Sequence, residues 1–337
     1  MIIEIKDKDQ KKNYEEVKRV LDNNDYIFKK IKLNNKILLI TSSKVSTQIL
    51  NNHSCIEKIH NIKTEYQLCS SEFRKEKTII KLSDDICFGS KSTIMMAGPC
   101  TVESKDQTFK TAEFLKENFN IKVFRAGAFK PRTSPYSFQG LKDEGLKILD
   151  EVKKKFDVKI ITEVKDSSHL HEVSQVADII QVGTKSMFDF QLLEDCGKLS
   201  NPILLKRSFM STIKEFLQCA DFIMSNGNQN VILCERGIRS FEPSTRFTLD
   251  VCSAATLKEI SHLPIVLDPS HAIGIAKYVS DISAVSSALG VDGLLIETHP
   301  DPESALCDKD QALSFKQFTS LYNKSQKVCN AVGRELI

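Results

Sequence analysis

Residues 93–103 read TIMMAGPCTVE, an apolar run that ends in a Gly-Pro turn and presents a thiol at Cys100. An apolar run followed at once by a turn and a reactive group is typical of a buried strand whose end carries chemistry. Other apolar runs further along the chain follow the same plan with different polar endings. The stretch therefore predicts a fold in which several buried strands deliver polar groups to one place.

Eight such runs occur in the chain, and amphipathic stretches with helical spacing lie between them, for example over 108–118, 141–154, 212–224 and 249–260. The runs are TIMMAGPC, KVFRAGAF, VKIITEV, DIIQVGT, PILLKRS, VILCERG, PIVLDPS and GLLIETH. Eight strands that alternate with helices predict an α/β fold, the (β/α)8 or TIM barrel. An open doubly wound sheet is the alternative, but no GxGxxG motif lies between a first strand and its helix.

The N-terminal residues predict a small α+β domain in front of the barrel. The predicted order is a strand at IIEIKD, a helix over 9–22, strands at YIFKKIKL and KILLITS joined at Asn34-Asn35, a helix over 45–50 and a strand over 56–66. This β-α-β-β-α-β order is typical of the ferredoxin-like fold. Residues 70–85 turn polar and indicate a linker. We predict domains over 1–70 and 71–337, the first serving ligand sensing or oligomerisation.

Composition excludes several classes of protein. A net charge of +3 over 337 residues is too small to suggest a nucleic-acid or membrane-surface protein. Ten cysteines without a CxxC pair, and an N-terminus without signal-peptide features, favour a reduced cytoplasmic protein. No apolar run reaches the roughly 20 residues of a membrane span. We therefore expect no nucleic-acid or membrane partner.

The endings of the predicted strands are rich in cations. A barrel collects the C-terminal ends of its strands at one mouth, and unpaired buried cations there cost several kcal/mol each. Their number indicates ligands with several negative charges, such as two phosphorylated substrates. The segment KPRTSPYS over 130–137 has the cations and hydroxyls of a phosphate clamp, with a surface turn as the alternative. The endings are Cys100, Arg125, Lys130, Glu163, Lys185, Lys206, Arg207, Glu235, Arg236, Asp268, His271, Glu297 and His299.

Four residues at or just beyond strand ends have the chemistry of a metal site. They are Cys100, His271, Glu297 and Asp308. A thiolate, an imidazole and two carboxylates suit a first-row divalent ion. Spacing alone does not select these four, because a packed thiol and a capped turn at ETHPDP explain the same residues.

Six motifs in this order closely resemble 3-deoxy-D-arabino-heptulosonate 7-phosphate (DAHP) synthase, of the single-barrel bacterial type with a ferredoxin-like N-terminal regulatory domain. They are GPCTVES, RAGAFKPRTSPYSFQGL, LLKRSFMSTIKEFL, ILCERGIRSFE, LDPSHAIG and IETHPDPESALCD. The resemblance covers residues 93–308 by motif and the N-terminal domain by predicted topology. It implies a transferase that joins phosphoenolpyruvate, D-erythrose 4-phosphate and water into DAHP and phosphate. This is the first step of the shikimate pathway, which leads to chorismate and the aromatic amino acids.

The resemblance also implies roles for individual residues. A divalent ion such as Mn, Fe, Co or Zn is expected on Cys100, His271, Glu297 and Asp308, and catalytic roles on Lys130, His271 and Cys100. Phosphoenolpyruvate is expected to contact Arg125, Lys130, Lys206 and Arg236, and the aldose phosphate Arg132, Thr133 and Ser134. Where the family usually has Gly-Ala-Arg, this chain has Gly183-Thr184-Lys185. We expect Lys185 to contact the phosphate of phosphoenolpyruvate without the bidentate grip of an arginine.

Regulation and alternatives complete the prediction. The resemblance implies feedback inhibition through the N-terminal domain by an aromatic amino acid or a pathway intermediate, and a homotetramer. Glu163 is a candidate proton carrier, although we favour a salt bridge for it. The nearest alternative is 3-deoxy-D-manno-octulosonate 8-phosphate synthase, whose loop reads Lys-Ala-Asn-Arg-Ser-Ser where this chain has KPRTS over 130–134. A Schiff-base aldolase using Lys206 and an inactive anion sensor are more distant alternatives.

Overall fold

The computed structural model describes residues 1–33, 35–42, 45–50, 53–132 and 134–337. The N-terminal elements are β1 (Ile2–Ile5), α1 (Gln10–Asp22), β2 (Phe28–Leu33), β3 (Lys36–Thr41), α2 (Thr47–Leu50) and β4 (Ile56–His60). Their strands form one antiparallel sheet in the order β2-β3-β1-β4. This is the predicted ferredoxin-like arrangement. Asn34, half of the predicted junction between β2 and β3, lies outside the described residues.

The two faces of this sheet have different partners. Side chains alternate across a strand, so neighbouring residues face opposite sides. Ile3 and Leu39 belong to one apolar cluster with Leu21 of α1. Ile2 and Leu38 belong to the large cluster that contains the residues of the barrel helices. The sheet is therefore covered on one face by its own helix and on the other by the rest of the chain.

The eight predicted barrel strands are all present and parallel. A hairpin of β5 (Ile80–Ser83) and β6 (Ile86–Phe88) precedes them. They are β7 (Ser92–Gly98), β8 (Val123–Arg125), β9 (Lys159–Val164), β10 (Ile179–Val182), β11 (Ile203–Lys206), β12 (Val231–Glu235), β13 (Ile265–Leu267) and β14 (Gly293–Glu297). Each pairs with the next, and β14 pairs with β7, which closes the barrel. The predicted (β/α)8 fold is confirmed.

Helices cover the outside of the barrel, except for one short helix after β13 that carries His271 at the mouth. They are α3 (Lys105–Phe119), α4 (Asp143–Phe156), α5 (Leu170–Val176), α6 (Phe190–Gly197), α7 (Ile213–Ser225), α8 (Val251–Ile260), α9 (Pro269–Ile273), α10 (Ala276–Ala288) and α11 (Phe315–Ala331). Two 3-10 turns (Ser167–His169, Pro302–Ser304) and β15 (Glu335–Leu336), which pairs with β7, complete the chain. Thr212 and Glu215 form a capping box that starts α7. Within the described ranges, no helix combines the length and apolarity that crossing a membrane requires.

The hairpin closes the N-terminal end of the barrel. Ile80, Ile86 and Phe88 share an apolar cluster with strand residues such as Met96 and Val123. Part of the hairpin lies in the stretch predicted to be a linker, so that prediction was wrong for β5. Its few apolar residues stand among lysines and aspartates, and so short a strand leaves no clear period in the sequence.

Residues just after the N-terminal sheet are fastened to the barrel by buried polar contacts. The backbone amides of Gln67 and Cys69 each donate to the Asp221 carboxylate at 2.9 Å. One ring nitrogen of His262 lies 2.7 Å from the Leu68 carbonyl oxygen. These contacts hold the connection against α7 and the loop before β13.

Candidate active site at the barrel mouth

A cleft of about 340 Å³ opens at the C-terminal ends of the barrel strands. It is lined by Lys130, Pro131, Arg132, Ser134, Ser137, Glu163, Thr184, Lys185, Lys206, Arg236, Arg246, His271 and Asp308. Six of these residues are lysine or arginine and two are carboxylates. The excess of positive charge makes the cleft suited to anionic ligands.

The turn after β7 brings Cys100 to this mouth. Gly98 has φ +155°, and a Cβ atom there would lie 2.1 Å from the carbonyl oxygen of Arg125. Arg125 in turn donates through Nη1 to the Pro99 carbonyl oxygen at 2.8 Å. Only glycine allows the ends of β7 and β8 to approach this closely. The Gly-Pro turn that follows leaves the Cys100 side chain buried at the mouth.

The four predicted metal ligands converge. The Cys100 thiol donates to Asp308 Oδ2 at 3.2 Å, and His271 Nε2 lies 3.1 Å from Glu297 Oε1. Donor atoms of Cys100, Cys307 and Asp308 lie within 4.8 Å of one another, as do those of His271, Glu297 and Asp308. Such spacings are those between ligands of one ion, and a thiolate, an imidazole and carboxylates suit a first-row divalent metal. The residues present therefore fit the expected ion.

The imidazole of His271 is oriented by a buried carboxylate. Its Nδ1 lies 2.7 Å from Asp268 Oδ2, while Lys206 pairs with the same carboxylate. Asp268 therefore orients the ring from its Nδ1 side, so that Nε2 points towards Glu297 and the other donors. Burial opposes a charged ring, but the carboxylates of Asp268 and Glu297 outweigh it and raise the pKa of His271 to about 9. An ion that binds here must displace a proton.

The carboxylate of Glu297 is held from two sides. Arg125 Nη1 donates to Oε1 at 2.9 Å, and Gln311 Nε2 donates to Oε2 at 2.6 Å. Burial opposes its ionisation, but His271 and Arg125 outweigh burial and hold the pKa of Glu297 well below its usual value. Gln311 was missed in the sequence, where its nearness to Asp308 was the one available signal.

Two cations of the segment after β8 approach the same donors. Lys130 Nζ donates to Cys100 Sγ at 2.7 Å and lies 3.1 Å from Asp308 Oδ2. Arg132 Nη1 donates to Cys307 Sγ at 3.0 Å and to Asp308 Oδ1 at 3.3 Å. Burial opposes the ammonium, but Cys100 and Asp308 raise the pKa of Lys130 well above its usual value. Lys130 therefore places a positive charge beside the donor set.

Arg236 is a buried cation that keeps two unused donors, and the Nε of Arg125 is likewise without a hydrogen-bond partner among the described residues. Arg236 Nη2 donates to the His271 carbonyl oxygen at 3.2 Å, and its guanidinium lies 4.3 Å from the centre of the Phe247 ring. Among the described residues, its buried Nε and Nη1 have no hydrogen-bond partner. Burial lowers the pKa of Arg236. Unpaired buried donors cost free energy, so an anionic partner at Nε and Nη1 would stabilise this arrangement.

The other predicted contact residues lie at different depths. Lys185 and Ser134 line the cleft, and Lys185 Nζ donates to the Pro131 carbonyl oxygen at 3.2 Å. Arg125 lies deeper and lines an adjoining cavity of about 10 Å³. Thr133 lies outside the described residues.

Some strand-end residues serve the scaffold. Arg207 Nη1 pairs with Glu235 at 3.0 Å and with Asp250 at 3.1 Å, away from the cleft. His299 also lies outside the cleft lining; its backbone amide donates to the Leu313 carbonyl oxygen at 2.9 Å, and its Nδ1 accepts from the Asp301 amide at 3.1 Å. These residues hold loops of the mouth together rather than facing a ligand.

Glu163 and Arg246 both line the cleft, and of the two only Arg246 was not identified in the sequence. Glu163, for which we favoured a salt bridge, accepts a hydrogen bond from Gln181 Nε2 at 2.7 Å. A Cβ at Gly183 would lie 2.1 Å from Glu163 Oε1, so glycine makes room for this carboxylate. Arg246 reaches the cleft from the long loop after β12 and donates to Gln311 Oε1 at 3.0 Å.

Comparison with known proteins agrees with this architecture. The family model described as the DAHP synthetase I family matches residues 77–333. The phospho-2-dehydro-3-deoxyheptonate aldolase of Thermotoga maritima is 44% identical over 279 residues, which cover 83% of this chain and 82% of that protein. The crystal structure of a DAHP synthase from Thermotoga maritima matches with a TM-score of 0.80 at 37% identity, covering 100% of this chain and 99% of that chain.

A more distant similarity concerns the alternative predicted above. The 2-dehydro-3-deoxyphosphooctonate aldolase of Campylobacter jejuni is 32% identical over 271 residues, covering 72% of this chain and 98% of that protein. The predicted DAHP synthase function is confirmed by the family match and by the higher identity to the Thermotoga enzyme. The chain belongs to the DAHP synthetase I family.

Proposed function

We propose that the barrel mouth condenses phosphoenolpyruvate with D-erythrose 4-phosphate and water, giving DAHP and phosphate. One observation carries this assignment: a cleft lined by six lysines and arginines adjoins a converged set of thiol, imidazole and carboxylate donors. The buried guanidinium of Arg236, with Nε and Nη1 unpaired among the described residues, supports an anionic ligand at this place.

We assign Cys100, His271, Glu297 and Asp308 as the ligands of a divalent ion, with Asp268 orienting His271. When bound, such an ion supplies a Lewis acid for the aldehyde oxygen of erythrose 4-phosphate. Mn, Fe, Co and Zn all accept this mixture of ligands.

The cations divide between the two substrates. Arg236, Lys206 and Lys130, with Arg125 below them, hold phosphoenolpyruvate, and Lys185 contacts its phosphate as a point charge. The loop of Arg132, Thr133 and Ser134 holds the aldose phosphate. Binding two mutually repelling anions in one cationic cleft replaces an unfavourable encounter with an effectively intramolecular reaction.

The reaction forms a carbon–carbon bond and a carbon–oxygen bond to water, and it breaks the carbon–oxygen bond to phosphate. Of the two water protons, one ends on the new hydroxyl of the product and the other leaves with the released phosphate. C3 of phosphoenolpyruvate attacks the aldehyde carbon, and positive charge develops at C2, where water adds. The resulting hemiketal phosphate then expels phosphate. Lys130 Nζ lies within 3.1 Å of both Cys100 Sγ and Asp308 Oδ2 and lines the cleft, so we assign its charge to stabilising negative charge that develops beside the proposed metal ligands.

For the N-terminal residues we propose regulation. Residues 1–70 form a regulatory domain that binds an aromatic amino acid or a pathway intermediate, and the chain assembles as a homotetramer. The ferredoxin-like sheet and its position outside the barrel support a separate role for this part of the chain.

Separate observations bear on two alternative functions, a synthase that uses a five-carbon sugar phosphate and a Schiff-base aldolase. The similarity to the Campylobacter protein favours a five-carbon sugar phosphate as substrate, whereas the loop KPRTS over 130–134 favours the four-carbon substrate. Lys206 is in the barrel as a Schiff-base aldolase requires, but its ammonium pairs with Asp268. This pairing supports a role as a charge.

Phosphate release tests the proposal. The enzyme is incubated with phosphoenolpyruvate plus either erythrose 4-phosphate or arabinose 5-phosphate, with and without a chelator. We expect release with erythrose 4-phosphate, its loss on chelation and its return when Mn²⁺ or Co²⁺ is added. Release with arabinose 5-phosphate alone would overturn the choice of substrate. Release that survives chelation, with borohydride trapping of substrate on Lys206, would overturn the metal mechanism.

A further inference from the structure

Cys307 is a second thiol in the donor cluster, and the function proposed above gives it no role. Its sulfur lies within 4.8 Å of donor atoms of both Cys100 and Asp308. The residue is 2% exposed, so it belongs to the interior of the mouth and not to its rim. The cluster therefore holds two sulfur atoms and one carboxylate within 4.8 Å of one another.

The backbone turns so that two consecutive side chains reach the cluster. In an extended segment Cys307 and Asp308 would point to opposite sides. Asp308 instead has φ +50°, a left-handed conformation that costs free energy for a residue other than glycine. This conformation brings the Cys307 sulfur and the Asp308 carboxylate to the same place.

The surroundings of Cys307 differ from those of a packing cysteine. Cys234 is equally buried but lies in the apolar cluster inside the barrel, among side chains such as Ile232 and Val266. Cys307 Sγ instead accepts a hydrogen bond from Arg132 Nη1 at 3.0 Å, beside Asp308. A thiol placed among charged groups and metal donors is suited to ligation rather than to apolar packing.

We propose that Cys307 supplies a second sulfur ligand to the ion held by Cys100, His271, Glu297 and Asp308. The inference rests on the metal centre of the proposed function and adds one residue to it. The thiol proton of Cys307 leaves as the sulfur binds, and no electrons are transferred. Because thiolate ligands select softer ions, Cys307 strengthens the preference of the centre for Zn²⁺ over Mn²⁺.

Cobalt spectroscopy on the full-length protein tests this assignment. The metal-stripped protein is loaded with Co²⁺, and the near-ultraviolet charge-transfer absorbance per bound Co²⁺ reports the number of Co–S bonds. We expect Cys307→Ser to lower this absorbance to about half, since one of two thiolates is lost. The control is Cys252→Ser, an exposed thiol on α8, which leaves the absorbance unchanged.

Metal selectivity gives a second readout. Competition between Zn²⁺ and Mn²⁺ is measured for the wild type, Cys307→Ser and Cys307→Ala. Loss of the second sulfur should weaken Zn²⁺ binding by about tenfold or more, with a smaller effect on Mn²⁺. Agreement between the serine and alanine variants shows that the sulfur, and not the fold around it, is responsible.

The possible outcomes distinguish the role of Cys307 from the existence of the four-residue metal centre. Wild-type absorbance and selectivity in Cys307→Ser, with reduced absorbance or lost Co²⁺ in Cys100→Ser, would remove Cys307 from the centre and leave the proposed function intact. Wild-type absorbance in both Cys100→Ser and Cys307→Ser would overturn the metal centre itself.

Discussion

The two ends of the barrel are built from the same eight strands, but one end buries apolar side chains and the other buries charged ones. At the N-terminal end, Ile80, Ile86 and Phe88 of the hairpin complete an apolar core. At the C-terminal end, the buried groups include Lys206, Asp268 and others that carry charge. Burial of apolar surface stabilises the fold, whereas buried ions cost stability or at best break even. The C-terminal end is therefore maintained for binding and chemistry.

Hydrogen bonding shows the same difference. At the N-terminal end, Thr93 Oγ1 donates to the Val291 carbonyl oxygen at 2.8 Å and accepts from Arg334 Nε at 2.9 Å. Arg334 Nη2 also lies 3.1 Å from Asp292 Oδ1. At the mouth, Arg236 keeps two buried nitrogens without a partner among the described residues. The arginine at the N-terminal end is fully engaged in the scaffold, whereas the arginine at the mouth keeps donors that an anionic ligand could use.

The largest expected effect on stability is at the hairpin. Phe88→Ala removes a fully buried ring from the apolar cluster and should lower the free energy of unfolding by about 3–5 kcal/mol. Activity per folded molecule should stay near the wild-type value, because Phe88 lies at the end opposite the cleft. Urea denaturation and steady-state kinetics below the transition measure both. A large loss of activity in Phe88→Ala, without a lower free energy of unfolding, would contradict the separation of a structural end from a catalytic end.

Replacing Arg236, which has two nitrogens without partners among the described residues, should lower activity and leave stability intact. Arg236→Met keeps an apolar stem beside Phe247 and should lower kcat/KM by about 100- to 1,000-fold, since a charged donor to the substrate is lost. The unfolding midpoint should be unchanged or higher, because buried unpaired donors are removed. Kinetics and thermal unfolding of the same preparation give both values.

The matched control is the paired arginine at the other end. Arg334→Met breaks the contacts with Thr93 and Asp292 and should destabilise the fold by about 1–3 kcal/mol while leaving kcat/KM unchanged. If Arg236→Met is destabilised as much as Arg334→Met and keeps its activity, Arg236 is a structural residue and not a substrate ligand.

A smaller effect is expected at Lys185. Lys185→Ala should raise KM for phosphoenolpyruvate by about tenfold, and Lys185→Arg should lower it, because a guanidinium grips a phosphate with two hydrogen bonds. KM for erythrose 4-phosphate is the internal control. An unchanged KM for phosphoenolpyruvate in both variants would remove Lys185 from the binding site.

The smallest effect on catalysis is expected from removing residues 1–70. Lys29 Nζ contacts Ser225 Oγ at 3.1 Å and Asn226 Oδ1 at 2.9 Å, at the C-terminal end of α7. Because the barrel helices run opposite to the strands, this contact is at the hairpin end, away from the cleft. The truncated chain should keep kcat and lose inhibition by phenylalanine, tyrosine or a pathway intermediate. Full inhibition of the truncated chain would place the sensing site in the barrel.

The fold was largely predictable because each barrel strand is a continuous apolar run followed by a turn. The hairpin was not, because Ile80 and Phe88 stand in short strands among charged residues. At the mouth, the sequence indicated which residues lie at strand ends but not which way they face. Lys206 and Arg207 are consecutive, so the alternation of a strand turns Lys206 into the cleft and Arg207 towards Glu235.

The contacts of the residues that support the site could be identified only from the structure. Asp268 was identified as a strand ending, but its contact with His271 Nδ1 depends on the short helix α9 that follows it. Gln311 and Arg246 come from loops far from their partners in the chain. Loops carry no period that relates one residue to another, so these contacts leave no pattern in the sequence.

The most direct test of the metal centre is the metal content of Cys100→Ser, measured together with its thermal unfolding midpoint. The wild-type chain should bind about one divalent ion, since the donors form a single cluster. Cys100→Ser should lose metal affinity while its metal-free form unfolds at the same temperature as the metal-free wild type. Full retention of the ion, or a metal-free form that unfolds at a clearly lower temperature, would show Cys100 to be a packed cysteine and contradict this assignment.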